Sequence, residues 1–422
     1  MLGRIGLATL FLFGLHSKLR LFSGEDVILP NAIAFIVGII FILIHLPKFF
    51  KKEAYYLYIL IFFFICSIFF GPNSSLLIKE KFLGFIQIAS SLLIGFAIYF
   101  EVKKYSLESI ARYCIFIITF LLLGSIIEIT TPLKYFLEFI MQPLYPLNAF
   151  YYSGEWNEMR DINYYLFFRP KFLTSEPSYL GQTISMLILF WRLSTKSKNN
   201  NIIFFLLISL SFLVVRSPMI LFLVPIYFFI NLFLEKSSFD EKNIKNISLN
   251  IIFITIISLF SYNIMFERIQ EATAGIDYSL LMRTIAPFYI AWNTLIEYPL
   301  LGVGIESKDA IENIMLAKFL GLGLQNASTV YSLDQILDQN HSYFLKAFIY
   351  FGLLGVSIIV LFMKKLMVSL KVYNFTFVFL TFSVLGFTHG NITGINTWAY
   401  FFIICAILSD NYKPQQINDK NY

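Results

Sequence analysis

Apolar residues form long uninterrupted runs along this chain, and short charged segments separate one run from the next. Runs of about 17–25 apolar residues suit helices that cross a hydrocarbon layer about 30 Å thick, where the backbone must satisfy its own hydrogen bonds. About twelve spans are predicted on this basis, at 4–22, 27–47, 55–71, 82–100, 113–130, 177–193, 201–215, 218–234, 248–264, 342–362, 373–388 and 393–409. The pattern predicts an all-α polytopic membrane protein with a single integral membrane domain, 1–422.

Basic residues set the predicted orientation of these spans. If the N-terminus is cytoplasmic, each inner loop carries three basic residues, within 48–52, 103–112, 192–198, 236–245 and 364–371. The short outer segments hold few, among them Lys18 and Arg216. Cytoplasmic loops are enriched in Lys and Arg, so both termini are predicted inside, including a polar cytoplasmic tail at 410–422. The N-terminal run is interpreted as the first span, because no cleavage site of a signal peptide follows it.

Two long segments, 131–176 and 265–341, then lie on the extracytoplasmic side. Connections of this length are uncommon in compact proteins unless they fold or carry function. The second is predicted to be partly helical, because apolar side chains recur at helical spacing from Leu281 to Leu295. That stripe would lie along the membrane or cap the helical bundle.

Amino-acid composition further narrows the possible classes of protein. Hydrophobic residues make up 58% of the chain and charged residues 14%, with a mean hydropathy of +0.73. The net charge of +6 lies in short loops between spans, where it acts as a topology signal, so no nucleic-acid partner is expected. All three cysteines fall inside apolar runs, which predicts no disulfide and no metal site.

A cluster of polar residues precedes the sixth span. Arg169 and Lys171 are followed by Ser175, Glu176 and Pro177. One interpretation is a helix start, with Ser175 as the cap, Glu176 favoured by the helix dipole and Pro177 in the first turn. The other keeps this geometry and adds that a carboxylate and two cations are held at the membrane surface, facing a ligand.

Single basic residues stand out elsewhere on the outer side. Arg216 interrupts the apolar stretch 201–234, which is too long for one crossing and is therefore predicted to be a tight hairpin with Arg216 at its outer tip. Arg283 lies off the apolar stripe of the second segment, one turn before Pro287, which would mark a helix start or a kink. Each arginine has two interpretations. The structural one is snorkelling to the surface or a local salt bridge, and the functional one is binding of an anion.

Two histidines are predicted at outer helix ends. His341 opens the tenth span, where free N–H groups and the helix dipole favour an anion, and His389 ends the eleventh. A lone histidine is more often structural than catalytic. His16 and His45 lie in or near spans, where a packing role is expected. No cluster of His, Cys and Asp has metal-ligand spacing.

At the motif level the chain resembles a known family. RPKFLTSEPSYLG at 169–181 resembles the Glu-Pro-Ser segment of Wzy-type polysaccharide polymerases. MRTIAPFYIAWNTLIEYPLLGVGIES at 282–307 and NHSYFLKAFIYFGLLG at 340–355 resemble the signature of the wider O-antigen polymerase and ligase superfamily. Ser342 stands where that family usually has an Asn after the histidine.

The resemblance implies a membrane glycosyltransferase with a GT-C-like architecture in the bacterial cytoplasmic membrane, with its active site facing the periplasm or exterior. Such a polymerase moves a growing glycan from undecaprenyl diphosphate onto a second lipid-linked repeat unit, for O antigen, capsule or exopolysaccharide. Its partners would be these lipid-linked donors and acceptors, with a chain-length regulator protein as a further candidate, and no cofactor is expected.

The expected chemistry fits the residues singled out above. Arginines can neutralise a departing diphosphate as fixed charges, which suggests Arg283 and Arg216, with Arg169, Lys171 and His389 as further diphosphate or substrate ligands. Either His341 or Glu176 would take the proton of the attacking hydroxyl. The resulting hypothesis is a one-step inverting displacement without a metal ion.

Two other functions stay open. An O-antigen ligase would use the same chemistry with lipid A core as the acceptor. A flippase or transporter of lipid-linked oligosaccharides belongs to another class, in which ionisable residues or broken helices usually lie near the membrane midplane. The clustering of ionisable residues at one surface favours an enzyme.

Overall fold

The computed structural model describes ten stretches of the chain. These stretches are residues 2–19, 31–72, 75–141, 168–174, 176–195, 200–234, 285–307, 310–311, 342–387 and 390–411. The predicted span 248–264 lies outside them, as do most of the two predicted outer segments and nearly all of the tail 410–422. The twelve crossings and the GT-C-like architecture therefore stay predictions.

Throughout the described stretches the regular structure is helical, with no β-strand among them. The α-helices are α1 Leu2–Ser17, α2 Ala32–Ile44, α3 Leu46–Phe49, α4 Tyr55–Cys66, α5 Ser75–Val102, α6 Leu107–Thr130, α7 Leu133–Met141, α8 Pro177–Ser194, α9 Asn200–Val215, α10 Leu223–Phe229, α11 Ile285–Glu297, α12 Tyr343–Ser369, α13 Phe375–Gly386 and α14 Ile395–Asn411. Short 3-10 helices occupy Lys52–Ala54, Ser67–Phe69 and Pro218–Phe222, and a π-helix occupies Ile230–Leu234. Each predicted span within the described residues overlaps a helix.

Four helical segments are long and apolar enough to cross a membrane, namely Lys52–Phe69, Leu77–Val102, Leu107–Thr130 and Tyr343–Ser369. The outward face of α6 carries a stripe of Phe116, Phe120, Leu123 and Ile127, each between 44% and 70% exposed. Soluble proteins rarely leave a contiguous apolar surface of this kind in water. The helices are thus compatible with a membrane protein.

Helix α14 forms the centre of the bundle. It packs against both α5 and α8, and its side chains from Ile395 to Ser409 are almost all buried. The contact with α5 is close because Gly95 has no side chain: a Cβ there would lie 2.5 Å from Phe402 Cδ2. Small residues permit this approach of two helices, which maximises the packing that holds helices together in lipid.

One end of the bundle gathers the segments predicted to be cytoplasmic. The buried Glu101 carboxylate accepts hydrogen bonds from His45 Nε2 at 2.9 Å, Lys104 Nζ at 2.9 Å and the Tyr105 hydroxyl at 3.2 Å. Burial and the Glu101 carboxylate raise the pKa of Tyr105 to about 12, so its phenol stays a donor. Ser369 Oγ donates to the Glu53 carbonyl at 3.1 Å. His45 is therefore part of a polar network, where the sequence suggested only packing.

The other end gathers the segments predicted to lie outside. Asn31 Nδ2 donates to Asn396 Oδ1 at 2.5 Å, and Asn396 Nδ2 donates to the Leu15 carbonyl at 3.2 Å. His16 Nδ1 lies 3.2 Å from Thr183 Oγ1. These helix ends contact one another, and the predicted alternating topology assigns them to the same side of the membrane. Which side that is stays a prediction.

Helix α12 is interrupted at Gly352, where φ is 61° and ψ is −171°. The sequence predicted a single continuous span at 342–362. The helical hydrogen bonds around the break are replaced by bonds to the distant segment Pro299–Gly304. Leu353 N–H donates to the Pro299 carbonyl at 2.9 Å, and Leu354 N–H donates to the Leu300 carbonyl at 3.0 Å.

The same segment also donates hydrogen bonds to carbonyl groups that the break leaves without helical partners. Val303 N–H donates to the Ile349 carbonyl at 3.0 Å, and Gly304 N–H donates to the Tyr350 carbonyl at 2.9 Å. Irregular backbone at membrane depth is tolerated only where protein or a wet cavity satisfies it. The Pro-Leu-Leu-Gly-Val-Gly run thus closes a break in a neighbouring helix.

Candidate functional site

The start of α8 carries the predicted Glu-Pro-Ser segment. Glu176 is the N-cap residue, with φ −150° and ψ 141°, and Pro177 occupies the first helical position. The extended residue that precedes the first turn is Glu176, and Ser175, the cap suggested by the sequence, lies outside the described residues. The Glu176 side chain accepts no capping hydrogen bond and is partly exposed. Its carbonyl accepts the Tyr179 N–H at 3.0 Å, so the carboxylate stands at the positive end of the helix dipole.

The loop before α8 carries the first two predicted cations. Arg169 is 7% exposed and Lys171 is partly buried. Glu128, near the end of α6, fixes this loop: its Oε1 accepts the Lys171 N–H at 3.2 Å and its Oε2 accepts the Phe172 N–H at 2.8 Å. A carboxylate that accepts two backbone N–H groups holds the chain in one conformation. The backbone that bears Arg169 and Lys171 is therefore fixed against α6.

Helix α1 holds the same loop from another side. His16 Nε2 lies 2.8 Å from the Phe172 carbonyl oxygen, and the histidine is 5% exposed. The Phe172 ring lies against Gly124 of α6, where a Cβ would lie 2.1 Å from the ring. Phe172 and Leu173 have φ values of 26° and 64°, a conformation that side chains rarely adopt. The surroundings thus impose a strained conformation on this loop.

Lys18 adds a third cation to the start of α8. Its Nζ lies 3.1 Å from the centre of the Tyr179 ring and donates to Gln182 Oε1 at 3.3 Å. Stacking a cation on an aromatic ring and bonding it to an amide fixes a flexible side chain in place. The sequence identified Lys18 only as an outer-loop cation.

Arg216 lies at the end of α9, where the predicted hairpin turns. Its N–H donates to the Phe212 carbonyl at 2.8 Å, and its φ is 48°. Helices usually end on glycine in this conformation. An L-residue there costs roughly 1–2 kcal/mol, whereas a cation at a helix C-terminus typically contributes about 0.3–1 kcal/mol. Helix termination alone therefore does not explain an arginine at this position.

The turn after α9 packs on α8. A Cβ on Gly181 would lie 2.3 Å from Ser217 Oγ, so the two segments touch one turn into α8. Phe204 of α9 stacks on Tyr227 of α10 with ring centroids 5.3 Å apart, which confirms the predicted hairpin. The structure thus places Ser217, the neighbour of Arg216, against α8 one turn after its start, and the meeting of Arg216 with the segment 169–178 stays a prediction.

Three predicted site residues, Arg283, His341 and His389, lie outside the described residues. The described part of helix α11 runs from Ile285 to Glu297 and contains Pro287, so the choice between a helix start and a kink at Pro287 stays a prediction. Phe288 and Trp292 of its apolar stripe are 55% and 67% exposed, and the Phe288 ring stacks on Phe387 at the end of α13 with ring centroids 5.8 Å apart.

Ser342, next to His341, is the N-cap of α12. Its Oγ accepts the Leu345 N–H at 3.2 Å and donates to the Gly386 carbonyl at 2.9 Å. Ser342 therefore caps α12 and joins it to α13.

A second polar cluster surrounds Glu306, just after the segment that closes the break in α12. Its Oε2 accepts the Tyr350 hydroxyl at 3.1 Å, and its Oε1 accepts Asn391 Nδ2 at 2.8 Å and the Thr393 hydroxyl at 3.0 Å. A Cβ on Gly84 would lie 2.6 Å from Glu306 Cγ. The carboxylate therefore packs against residues of two candidate spans.

Sequence reasoning missed Glu128 and Glu306 as site residues. Glu128 lies inside the apolar run 113–130, and an acidic residue within a span is a functional candidate by default. That rule would have identified it. Glu306 follows a glycine-rich run among many acidic residues, and the partners that single it out are 44 to 87 positions away in the chain.

Replacing Glu128 by glutamine is expected to loosen the loop 169–174. The variant keeps the volume but offers one oxygen to two N–H groups, and leaving a buried donor unpaired costs about 1–3 kcal/mol. A cysteine in place of Leu173, in a chain whose three native cysteines are alanine, should then react faster with a thiol reagent. The control is Glu108→Gln, an exposed glutamate on the same helix, which should leave the rate unchanged. Equal rates in the two variants would contradict the anchoring role.

The described residues contain no group of three His, Cys, Asp or Glu side chains that could hold a metal ion. The chemistry available there consists of fixed cations, two carboxylates and hydrogen-bonding side chains. This arrangement suits binding of an anionic group at the start of α8.

Comparison with known proteins leaves the family resemblance as a prediction. No protein-family model, no curated protein and no solved structure matches this chain.

Proposed function

We propose that this chain is a membrane glycosyltransferase of the O-antigen polymerase type. It transfers a growing glycan from undecaprenyl diphosphate onto a lipid-linked repeat unit at the outer face of the bacterial cytoplasmic membrane. The proposal rests on three placements: Arg169 and Lys171 lie in an anchored loop just before α8, Glu176 is the N-cap residue of α8, and Ser217, next to Arg216, packs against Gly181 of α8.

The leaving group explains why cations are needed. Breaking the glycosidic bond to a lipid diphosphate leaves negative charge on the phosphate oxygens, and fixed guanidinium groups stabilise that charge as it develops. The planar fork of arginine matches two phosphate oxygens at once. Arg216, in its strained turn, and Arg169, in its anchored loop, would take this role, and Arg283 would complete the set from the segment before α11.

The attacking sugar hydroxyl must also lose its proton. Glu176 and His341 are the candidates from the sequence, and each would serve as a base within hydrogen-bond reach of that hydroxyl. Attack from the face opposite the diphosphate gives inversion at the anomeric carbon. An O-antigen ligase would use the same groups with lipid A core as the acceptor.

A flippase or transporter of lipid-linked oligosaccharides is the second candidate, and the break in α12 favours it. Discontinuous helices and buried ionisable residues are typical of transporter binding sites. The sequence suggested that ionisable residues cluster at one surface, yet Lys81 and Glu101, near opposite ends of the candidate span Leu77–Val102, are almost fully buried. The break at Gly352 is filled by protein backbone, however, which supports a structural role for it.

Deleting the gene separates these functions in the cell. Loss of a polymerase leaves single repeat units on the surface glycan, which an electrophoretic ladder shows as a collapse to the shortest product. Loss of a ligase leaves polymer on the carrier lipid, and loss of a flippase traps repeat units inside. The proposal predicts the first outcome, and either of the others would replace it.

A further inference from the structure

Glu306 joins three parts of the fold through one carboxylate. Tyr350 comes from α12 next to its break, whereas Asn391 and Thr393 come from the segment between α13 and α14. Glu306 itself has a φ of 50°. Non-glycine residues persist in this conformation only where the surroundings enforce it, and such residues concentrate at functional sites.

The three hydrogen bonds do not require a charged residue. All three donors are neutral, and Glu306 forms no ion pair within the part of the chain that the structure describes. A glutamine could accept from Asn391 and Thr393 and donate to the Tyr350 oxygen. A partly buried carboxylate loses part of its hydration, a cost that the amide largely avoids. Holding the fold together therefore does not explain the charge.

A neighbouring atom indicates a missing hydrogen-bond donor. Asn391 donates through Nδ2 to Glu306, which fixes the orientation of the amide and leaves Oδ1 as an acceptor. This buried oxygen has no hydrogen-bond partner among the described residues. Buried acceptors are almost always paired, with protein, water or ligand. Glu306 is partly exposed, whereas Ile305 and Ser307 on either side of it are fully buried.

We propose that Glu306 and Asn391 bind the acceptor sugar, and that Glu306 takes the proton of its attacking hydroxyl. This inference rests on the proposed glycan transfer. The hydroxyl oxygen forms the bond to the anomeric carbon, the bond from that carbon to the diphosphate oxygen breaks, and the diphosphate leaves with the electron pair. The hydroxyl proton passes to a Glu306 oxygen, and Asn391 Oδ1 accepts a hydrogen bond from a neighbouring hydroxyl of the same sugar.

The test is Glu306→Gln in purified protein supplied with lipid-linked repeat units. The amide keeps the shape and the hydrogen bonds but cannot take a proton, so the rate of transfer should fall about 100-fold or more, as general bases contribute 10²–10⁴-fold. The melting temperature and the affinity for the lipid-linked donor should stay close to those of the unaltered protein. Glu297→Gln, an exposed glutamate at the end of α11, is the matched control and should be fully active.

Thr393→Val separates the catalytic role from a purely structural one. It removes a donor but keeps the carboxylate, so it should lower the melting temperature while retaining transfer within about tenfold of the unaltered protein, as loss of one hydrogen bond implies. A structural carboxylate would give the reverse pattern, with Glu306→Gln active and Thr393→Val impaired. That pattern would overturn the inference. Full activity in Glu306→Gln, with activity lost in Glu176→Gln or His341→Ala, would overturn it as well, because the base would then be another residue.

The unaltered protein distinguishes failure of this inference from failure of the proposed function. If it transfers no glycan, the proposed function fails and this inference fails with it. If it transfers glycan and Glu306→Gln matches it, the proposed function stands and the inference alone is wrong.

Discussion

Replacing Gly352 by alanine is expected to lower the thermal stability of the protein sharply. The backbone at Gly352 has φ 61° and ψ −171°, a region that is essentially restricted to glycine. Forcing another residue into it costs of order 1–3 kcal/mol. A Cβ would also lie 2.5 Å from the Leu300 carbonyl carbon and oxygen, which would displace the segment that closes the break in α12. Detergent-solubilised protein should melt earlier and yield less monodisperse material.

The matched control is Gly6→Ala in α1, where no heavy atom lies within 4 Å of the added Cβ. Alanine is better than glycine in a helix by roughly 0.5–1 kcal/mol, so this variant should be as stable as the unaltered protein or slightly more stable. Equal melting temperatures for the Gly352 and Gly6 variants would mean that α12 tolerates a continuous helix at this point.

Arg216→Ala is expected to abolish long glycan products while leaving the fold intact. Removing one group that stabilises developing negative charge typically slows a reaction about 10²–10³-fold. Alanine also fits the turn no worse than arginine does, because both are L-residues at a φ of 48°. Surface glycan should therefore collapse towards single repeats at an unchanged level of protein in the membrane.

Arg216→Lys and Arg112→Ala complete this experiment. Lysine keeps the charge without the planar fork, so the lysine variant should show an intermediate ladder. Arg112 is 73% exposed and forms a 3.8 Å surface pair with Glu108, so its loss should have no effect. A normal ladder in Arg216→Ala would remove this arginine from the site.

Apolar pattern predicted the helices well but not their ends. The predicted span 113–130 corresponds to α6, which begins at Leu107 with Ser106 as its N-cap. The Ser106 hydroxyl accepts the Ser109 N–H at 3.2 Å. A hydropathy pattern identifies the part of a helix that suits hydrocarbon, whereas the helix itself continues through its polar, capped first turn.

The break in α12 could not be predicted from local pattern. The sequence around Gly352 is apolar on both sides, and a single glycine in such a run is compatible with a continuous helix. What decides the geometry is the segment Pro299–Gly304, which lies about 50 positions earlier and satisfies the backbone on both sides of the break. Tertiary partners of this kind leave no periodic signal.

The sequence predicted the cations of the candidate site and the carboxylate of Glu176, but not Glu128 or Glu306. Lone arginines are conspicuous in an apolar sequence, so Arg169 and Arg216 could be identified. The two carboxylates that the sequence did not predict are distinguished by their hydrogen-bond partners. Glu128 bonds to backbone N–H groups 43 and 44 positions away, and Glu306 bonds to side chains on two distant segments.

Reconstitution of the purified protein in liposomes with undecaprenyl-diphosphate-linked repeat units tests the central claim most directly. Repeat units extracted from cells that lack this chain would serve as both donor and acceptor. The account predicts a ladder of longer glycans, one undecaprenyl diphosphate released for each bond formed, and an inverted anomeric configuration at each new bond. Repeat units that cross the bilayer without being lengthened, or new bonds that retain the donor's configuration, would contradict it.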